Sequence, residues 1–283
     1  MAEASHPADR LIAAVEHAGS PVCVGIDPVL SRLPSALSRD VEGVGVFCRG
    51  IIDAVVGEVA AVKFQSACFE ALGWKAMSLL AELRSLAHQE GLQVILDAKR
   101  NDIGISAGHY AAAATADGAP CDWVTVNPWL GEDGIVPFLE AGLGVFALVR
   151  TSNPSGDSVQ AQTLTDGRTV AESVADLIAE LGNAWLGKRG YSALGAVVGA
   201  TKPDEVAVLR RRMPHQLFLM PGFGAQGGTP QGVVPALGAD GCGVLVTASR
   251  SVIYAEGDDW QQAIADAARA MSASLQSLSD AVR

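Results

Sequence analysis

ILDAKRNDIG, residues 95–104, begins with apolar residues as a buried strand does, then sets Asp97, Lys99, Arg100, Asn101 and Asp102 within six positions. The chain around it is 49% hydrophobic and only 18% charged, so charge gathered at one strand end needs a reason. Working outward, similar runs rich in Val, Ile and Leu recur: VCVGI (22–26), VAAVKF (59–64), QVILD (93–97), DWVTV (122–126), GVFALV (144–149), LGAVVGA (194–200), QLFLM (216–220) and GVLVT (243–247). Several lack polar alternation, the pattern of parallel strands covered on both faces. Ala- and Leu-rich stretches between them, such as VGVFCRGIIDAVVGEV, MSLLAELRSLAHQEG, VPFLEAG, TVAESVADLIAELGNAWLGK and PDEVAVLRRRM, predict helices, with a last helix near 258–281. Eight strand–helix units in roughly 250 residues predict a (β/α)8 TIM barrel. No Pro/Ser-rich linker or charge block divides it, so residues 1–283 are expected to form a single domain.

Bulk properties exclude several classes. The formal net charge is −11, which argues against nucleic acid or an anionic membrane face as partner. MAEASHPADRLIAAVEHAGS lacks the basic and continuous apolar regions of a secretory signal, and runs such as GVFALV are too short to span a bilayer. Cys23, Cys48, Cys68, Cys121 and Cys242 are scattered and odd in number, with no CxxC or Cys/His cluster. Reduced packing thiols in a cytoplasmic protein are expected, with neither disulfide framework nor zinc site.

In a barrel of this kind the chemistry sits where strands end. The first strand ends at Asp27, the second at Lys63, the third at Asp97, Lys99 and Asp102, the fourth at Asn127, and the fifth at Ser152 and Asn153. The seventh ends in PGFGAQGG and the eighth in TASRS. These charges should converge on one mouth. The long segment 151–169 follows the fifth strand, where a lid is expected.

Asp97 and Lys99 are two apart and so share one side of an extended chain, with Asp102 opening the turn into the next helix. A lysine flanked by carboxylates stays an ammonium ion, a poor nucleophile but a well-placed acid. At an effective dielectric of about 20, one such pair at ~4 Å is worth roughly 4 kcal/mol, enough to hold the geometry. Added negative charge here would be destabilised by Asp97, and a developing carbanion would be stabilised by Lys99. Gly222, Gly224, Gly227 and Gly228 free backbone N–H groups to approach an anion, and Arg250 supplies a planar fork for phosphate oxygens.

This combination resembles the orotidine 5′-monophosphate decarboxylases. DAKRNDIG is similar to their Asp-x-Lys-x-x-Asp signature, supported by VGIDP, VKFQSACFEALG, VTVNPWLG, VRTSNPSGD, PGFGAQGG and SRSVIYA. VNPWLG and RTSNPSGD resemble the larger bacterial subgroup. The resemblance implies a carboxy-lyase of pyrimidine (UMP) biosynthesis that needs neither metal nor organic cofactor and takes a small nucleotide as substrate. Lys99 would protonate C6 of the pyrimidine as carbon dioxide leaves, and Asp97 would sit against the substrate carboxylate. Lys63 and Asp27 would hold the ribose hydroxyls. Asp102 would cross a homodimer interface to serve the partner's site, and Ser106 would lie near the ribose and phosphate. Ser152 would contact the pyrimidine edge, while Gln226, beside Gly227, and Arg250 would grip the phosphate. Gly-Ile-Ser at 104–106 departs from the Pro-Asn-Thr or Gly-Ser-Thr common in the family and bears on Ser106 alone.

Other readings have discriminating features. A Mg²⁺-dependent sugar-phosphate aldolase or decarboxylase shares the signature but carries an acidic ligand where this chain has Lys63. A non-enzymatic sugar-phosphate binding barrel has no need of Lys99 between aspartates. GISAG (104–108) fits G-x-S-x-G, but a charged turn separates it from its strand. GFGAQG (222–227) fits G-x-G-x-x-G, but at the seventh unit a phosphate turn explains it better than a dinucleotide fold. The five histidines show no ligand spacing, with His109 expected on a helix surface or dimer contact. Trp74, Trp123 and Trp129 are read as packing residues, and Arg210, Arg211 and Arg212 as helix-end cations without a site role.

Overall fold

A computed structural model describes residues 6–116, 118–223 and 227–282, without the side chains of 230 and 277–282. Eight parallel strands follow one another round a closed barrel: β1 (Val22–Ile26), β2 (Ala61–Gln65), β3 (Gln93–Arg100), β4 (Trp123–Val126), β5 (Gly144–Arg150), β6 (Ser192–Val198), β7 (Gln216–Met220) and β8 (Val244–Ala248). Closure comes from β1, where Cys23 pairs with Ala61 of β2 on one side and Thr247 of β8 on the other. The helices are α1 (Pro7–Ala18), α2 (Val41–Val55), α3 (Ser66–Glu70), α4 (Trp74–Gln89), α5 (Gly104–Ala114) and α6 (Val136–Glu140). They continue with α7 (Asp157–Gln160), α8 (Val170–Gly182), α9 (Pro203–Arg212), α10 (Pro230–Val233), α11 (Arg250–Ile253) and α12 (Trp260–Val282). This is the (β/α)8 barrel that the strand spacing predicts.

The uniformly apolar strands serve two cores, because alternate side chains leave opposite faces of a strand. Val22, Val24, Val62, Phe64, Val94, Leu96, Val124 and Val126 pack against the surrounding helices. Cys23, Ala61, Ile95, Trp123, Phe146, Leu217 and Leu245 fill the barrel itself. Trp123 stacks on Phe146 with centroids 4.4 Å apart. Helix α1 closes the barrel at the end where strands begin, contributing Ala8, Leu11 and Ile12 to the inner core. Asp9 fastens it by accepting from Lys188 N and Arg189 N, each at 3.0 Å. No described helix is long and apolar enough to cross a membrane.

Several sequence readings change here. Trp123 is fully buried, but Trp74 is 77% and Trp129 70% exposed, so the three tryptophans do not share a packing role. Arg210 stands in the last turn of α9 as read, but it is buried, stacks over Phe218 at 3.7 Å and donates to the carbonyls of Ala236, Met213, Gln216 and Gly243. Arg212 does behave as a helix-end cation, pairing with Asp176 at 2.9 Å. The 151–169 segment has structure of its own, including α7 and a Thr163–Thr169 bridge. Cys23, Cys48 and Cys121 are buried, and desolvation pushes the thiols of Cys23 and Cys121 up to about 12.

Candidate active site

The inner-face parity of β2, β3 and β4 sets Ala61, Ile95 and Trp123 deep in the barrel and carries Lys63, Asp97 and Thr125 one layer higher, toward the strands' C-terminal ends. Lys63 and Asp97 are only 5% and 6% exposed, so each needs a partner of opposite charge. Both find one. Lys63 Nζ donates to Asp97 Oδ2 at 2.8 Å and lies 3.9 Å from Asp27 Oδ1. Lys99 Nζ donates to Asp97 Oδ1 at 2.6 Å. The result is an alternating row, Asp27–Lys63–Asp97–Lys99, with two charges of each sign. Gln65 Nε2 at 3.3 Å and the Thr125 hydroxyl at 2.8 Å complete the donors round Asp97.

Electrostatics keep the buried pair at the centre of the row, Lys63 and Asp97, ionised. Burial opposes the charge on Lys63, but the carboxylates of Asp97 and Asp27 more than offset it and hold its affinity for a proton above that of an ordinary lysine. Burial likewise opposes ionisation of Asp97, and the ammonium groups of Lys63 and Lys99 overcome it, holding the carboxyl well below the usual range. The Lys99 side chain, 45% exposed, is the open end of the row.

The β3 strand runs through this cluster rather than stopping before it. It does so irregularly: Leu96 pairs with Val124 and Arg100 with Val126, and Lys99 has φ +45°. Among the described residues Lys99 is the one non-glycine in the left-handed region, a placement that costs of order 1 kcal/mol or more. Simple strand alternation therefore does not account for the Asp97–Lys99 contact; a bulge does.

Above the row opens a cavity of about 540 Å3, the size of a small-ligand site. Asp27, Lys63, Asp97, Lys99, Ser152 and Arg250 all line it, as the sequence predicts. Asp102 and Ser106 do not. Asp102 is half-buried and its Oδ1 accepts from Ile103 N at 2.9 Å, while Ser106 is exposed on α5. Gly227 is exposed with φ +88° and stays outside the lining, whereas Gly222, φ +98°, is part of it. Gln226 and Gly224 lie outside the described residues. Asn127 turns away to cap the next turn, accepting from Trp129 N at 3.0 Å. His109 is exposed, with Nδ1 2.9 Å from Ile105 O.

Gln65, Thr125, Thr247 and Ser249 also line the cavity and were not singled out from the sequence. A signal was present for three of them: Gln65 lies two residues beyond Lys63, and Thr247 and Ser249 fall within TASRS beside Arg250, whereas Thr125 has no lining residue two positions away. A second cavity of about 390 Å3 lies at the barrel's other end, lined by Leu11, Ile12, Val15, Leu217 and Val244. It holds no facing pair of opposite charges, and barrel chemistry belongs to the C-terminal face.

A second ionic cluster anchors the Ser152 segment. Arg150, 2% exposed at the end of β5, donates to Glu205 Oε2 at 2.5 Å, Asp157 Oδ1 at 2.7 Å and Gln160 Oε1 at 3.2 Å. Gln160 Oε1 in turn accepts from Thr151 N at 2.9 Å. Tyr254 ties the β1 end, accepting from Val29 N at 2.8 Å and donating to Asp27 O at 3.3 Å.

A family model described as "Orotidine 5'-phosphate decarboxylase / HUMPS family" matches residues 20–266. Proteins named orotidine 5′-phosphate decarboxylase are 43% identical in Rhodopirellula baltica, over 95% of this chain and 98% of the relative, and 42% identical in Roseiflexus castenholzii, over 88% and 90%. Among solved structures, a putative orotidine-monophosphate decarboxylase from Toxoplasma gondii superposes with a TM-score of 0.87 at 30% identity, covering 97% of each chain. One from Streptomyces avermitilis gives 0.84 at 33% identity, covering 98% of this chain and 96% of that one. With the charged row, the cavity and the closed barrel in common view, the chain belongs to the orotidine 5′-phosphate decarboxylase / HUMPS family.

Proposed function

We propose that this protein converts orotidine 5′-monophosphate to uridine 5′-monophosphate and CO2, without a metal, in pyrimidine biosynthesis. The observation that carries the reading is the Asp27–Lys63–Asp97–Lys99 row facing the 540 Å3 cavity. Arg250, with Gln226, takes the phosphate, and Ser152 meets the pyrimidine edge. The Asp27 side chain is 28% exposed and lines the cavity, and no described donor hydrogen-bonds to its Oδ1, so this carboxylate takes a ribose hydroxyl beside Lys63.

The chemistry follows from where charge moves. With the pyrimidine between Ser152 and the row, the C6 carboxylate lies against Asp97, a carboxylate that its two lysines keep ionised. Cleavage of the C6–carboxylate bond carries negative charge away from Asp97 and leaves the electron pair on C6. Lys99 delivers its proton there and regains one from water. Preorganised charge of this kind lowers the barrier because nothing must reorganise as the reaction proceeds. The donor set does not suit a divalent ion, since Lys63 already occupies the space between Asp27 and Asp97.

The same reading accounts for Asp102 and Ser106. Both lie on a face carrying exposed Ile103, Ile105, Tyr110, Trp129 and Leu130, an apolar patch that a second copy of the chain would cover. In that homodimer Asp102 reaches the partner's cavity. The acidic composition and the scattered, unpaired thiols support a cytoplasmic enzyme.

Purified protein mixed with orotidine 5′-monophosphate should remove its ultraviolet absorbance equally with and without EDTA. No loss of absorbance overturns the reading. Loss abolished by EDTA overturns its metal-free part. Sedimentation of a monomer at assay concentration overturns the dimer.

A further inference from the structure

We propose that Thr125 is a positioning residue that fixes the Asp97–Lys99 pair in reactive geometry; this rests on the decarboxylase reading above. The register carries it. Between the Leu96–Val124 and Arg100–Val126 pairs, three residues of β3 (Asp97, Ala98, Lys99) face a single residue of β4, Thr125. The ordinary ladder cannot serve three residues from one. Thr125 supplies the missing partner with its side chain. Its Oγ1 accepts from Lys99 N at 2.9 Å and donates to Asp97 Oδ1 at 2.8 Å.

These two bonds enforce each other. Because Oγ1 accepts the Lys99 amide proton, its own hydrogen is directed elsewhere, and Asp97 Oδ1 is the acceptor within reach. The bond to the amide holds Lys99 at φ +45°, a backbone state that needs an external restraint. The bond to Asp97 orients the oxygen that also receives Lys99 Nζ at 2.6 Å. A β-branched side chain in a strand is stiff about χ1, so a fully buried threonine gives this hydroxyl little freedom. Valine would keep the shape and branching but remove both bonds, freeing the carboxylate to turn and the Lys99 backbone to relax. Substrate binding through Arg250 and Ser152 does not depend on Thr125, so the effect falls on turnover.

The test compares Thr125→Val and Thr125→Ser with the unsubstituted enzyme in orotidine 5′-monophosphate turnover and in uridine 5′-monophosphate affinity. T125V is expected to lose about 100-fold in kcat while binding uridine 5′-monophosphate within about twofold of normal, and T125S to stay within about threefold in kcat. Equal kcat in T125V and the unsubstituted enzyme overturns the proposal, as does a loss shared equally by T125V and T125S or matched by loss of nucleotide affinity. Should T125V not fold, Thr125→Ala replaces it, with the same loss expected and the same outcomes overturning the proposal. An unsubstituted protein that binds uridine 5′-monophosphate yet never turns over the substrate fails the decarboxylase reading instead, a separate result.

Discussion

The two ends of the barrel interior differ although the same strands build both. In the lower layer Cys23, Ala61, Ile95, Trp123 and Phe146 are packed and apolar, with α1 sealing them from below. Two residues further along three of those strands, the same inward parity presents Lys63, Asp97 and Thr125 to an open cavity. The lower layer holds the barrel closed by burying area. The upper layer holds charges that are expensive to bury and that only mutual pairing makes tolerable. Stability and chemistry are thus separated by about two residues of strand.

Substitutions in each layer should break that division or sharpen it. The largest expected effect is Lys99→Ala, which should cut kcat by at least about 10⁴-fold while leaving the urea midpoint and uridine 5′-monophosphate affinity nearly unchanged. Steady-state kinetics beside a titration of the product checks this, and a variant retaining a tenth of the rate would move the acid elsewhere. Trp123→Ala should do the reverse, costing about 3–5 kcal/mol of stability through the cavity it leaves beside Phe146. Equilibrium unfolding measures it, and a loss under about 1 kcal/mol would show the lower layer to be loosely packed.

Asp97→Asn should cost stability as well as activity, about 2–3 kcal/mol at neutral pH, because it leaves Lys63 buried with only Asp27 nearby at 3.9 Å. The sign with pH is definite. The folded carboxyl of Asp97 is held below its unfolded value, so its contribution is full above about pH 4 and fades as pH falls further. Urea midpoints at pH 7, 5 and 3 should show the gap between the two proteins beginning to narrow only at the lowest value; a constant gap would refute the ionic origin. The smallest effect is expected at the support for the upper layer. Arg150→Met should lower kcat/KM about tenfold by loosening the Ser152 segment from Asp157 and Glu205, read most directly as a raised KM.

Much of this was legible beforehand because it depended on short-range pattern. The runs 22–26 and 216–220 coincide with β1 and β7, and the strand ends name eight of the cavity's lining residues, Asp27, Lys63, Asp97, Lys99, Ser152, Asn153, Gly222 and Arg250. Other features needed the fold. Trp74, Trp123 and Trp129 look alike in the chain, yet only Trp123 falls on an inward strand position. Arg210 sits among three consecutive arginines, and it alone faces the carbonyls at the starts of β7 and β8. The 7–18 segment carries no strand-end chemistry, and its role as the barrel's plug appears only once the barrel exists.

By itself the amino-acid order determined that parallel strands alternate with helices, and that Asp27, Lys63, Asp97, Lys99 and Arg250 arrive at one end of them, since periodicity and spacing are properties of the chain. Only the tertiary structure decided that Lys63 is shared between two aspartates, that β3 bulges at Lys99, and that Thr125 stands opposite the bulge. Those facts depend on register between residues 26 to 36 positions apart in the chain, and register is fixed by the packing of the whole barrel rather than by any local stretch.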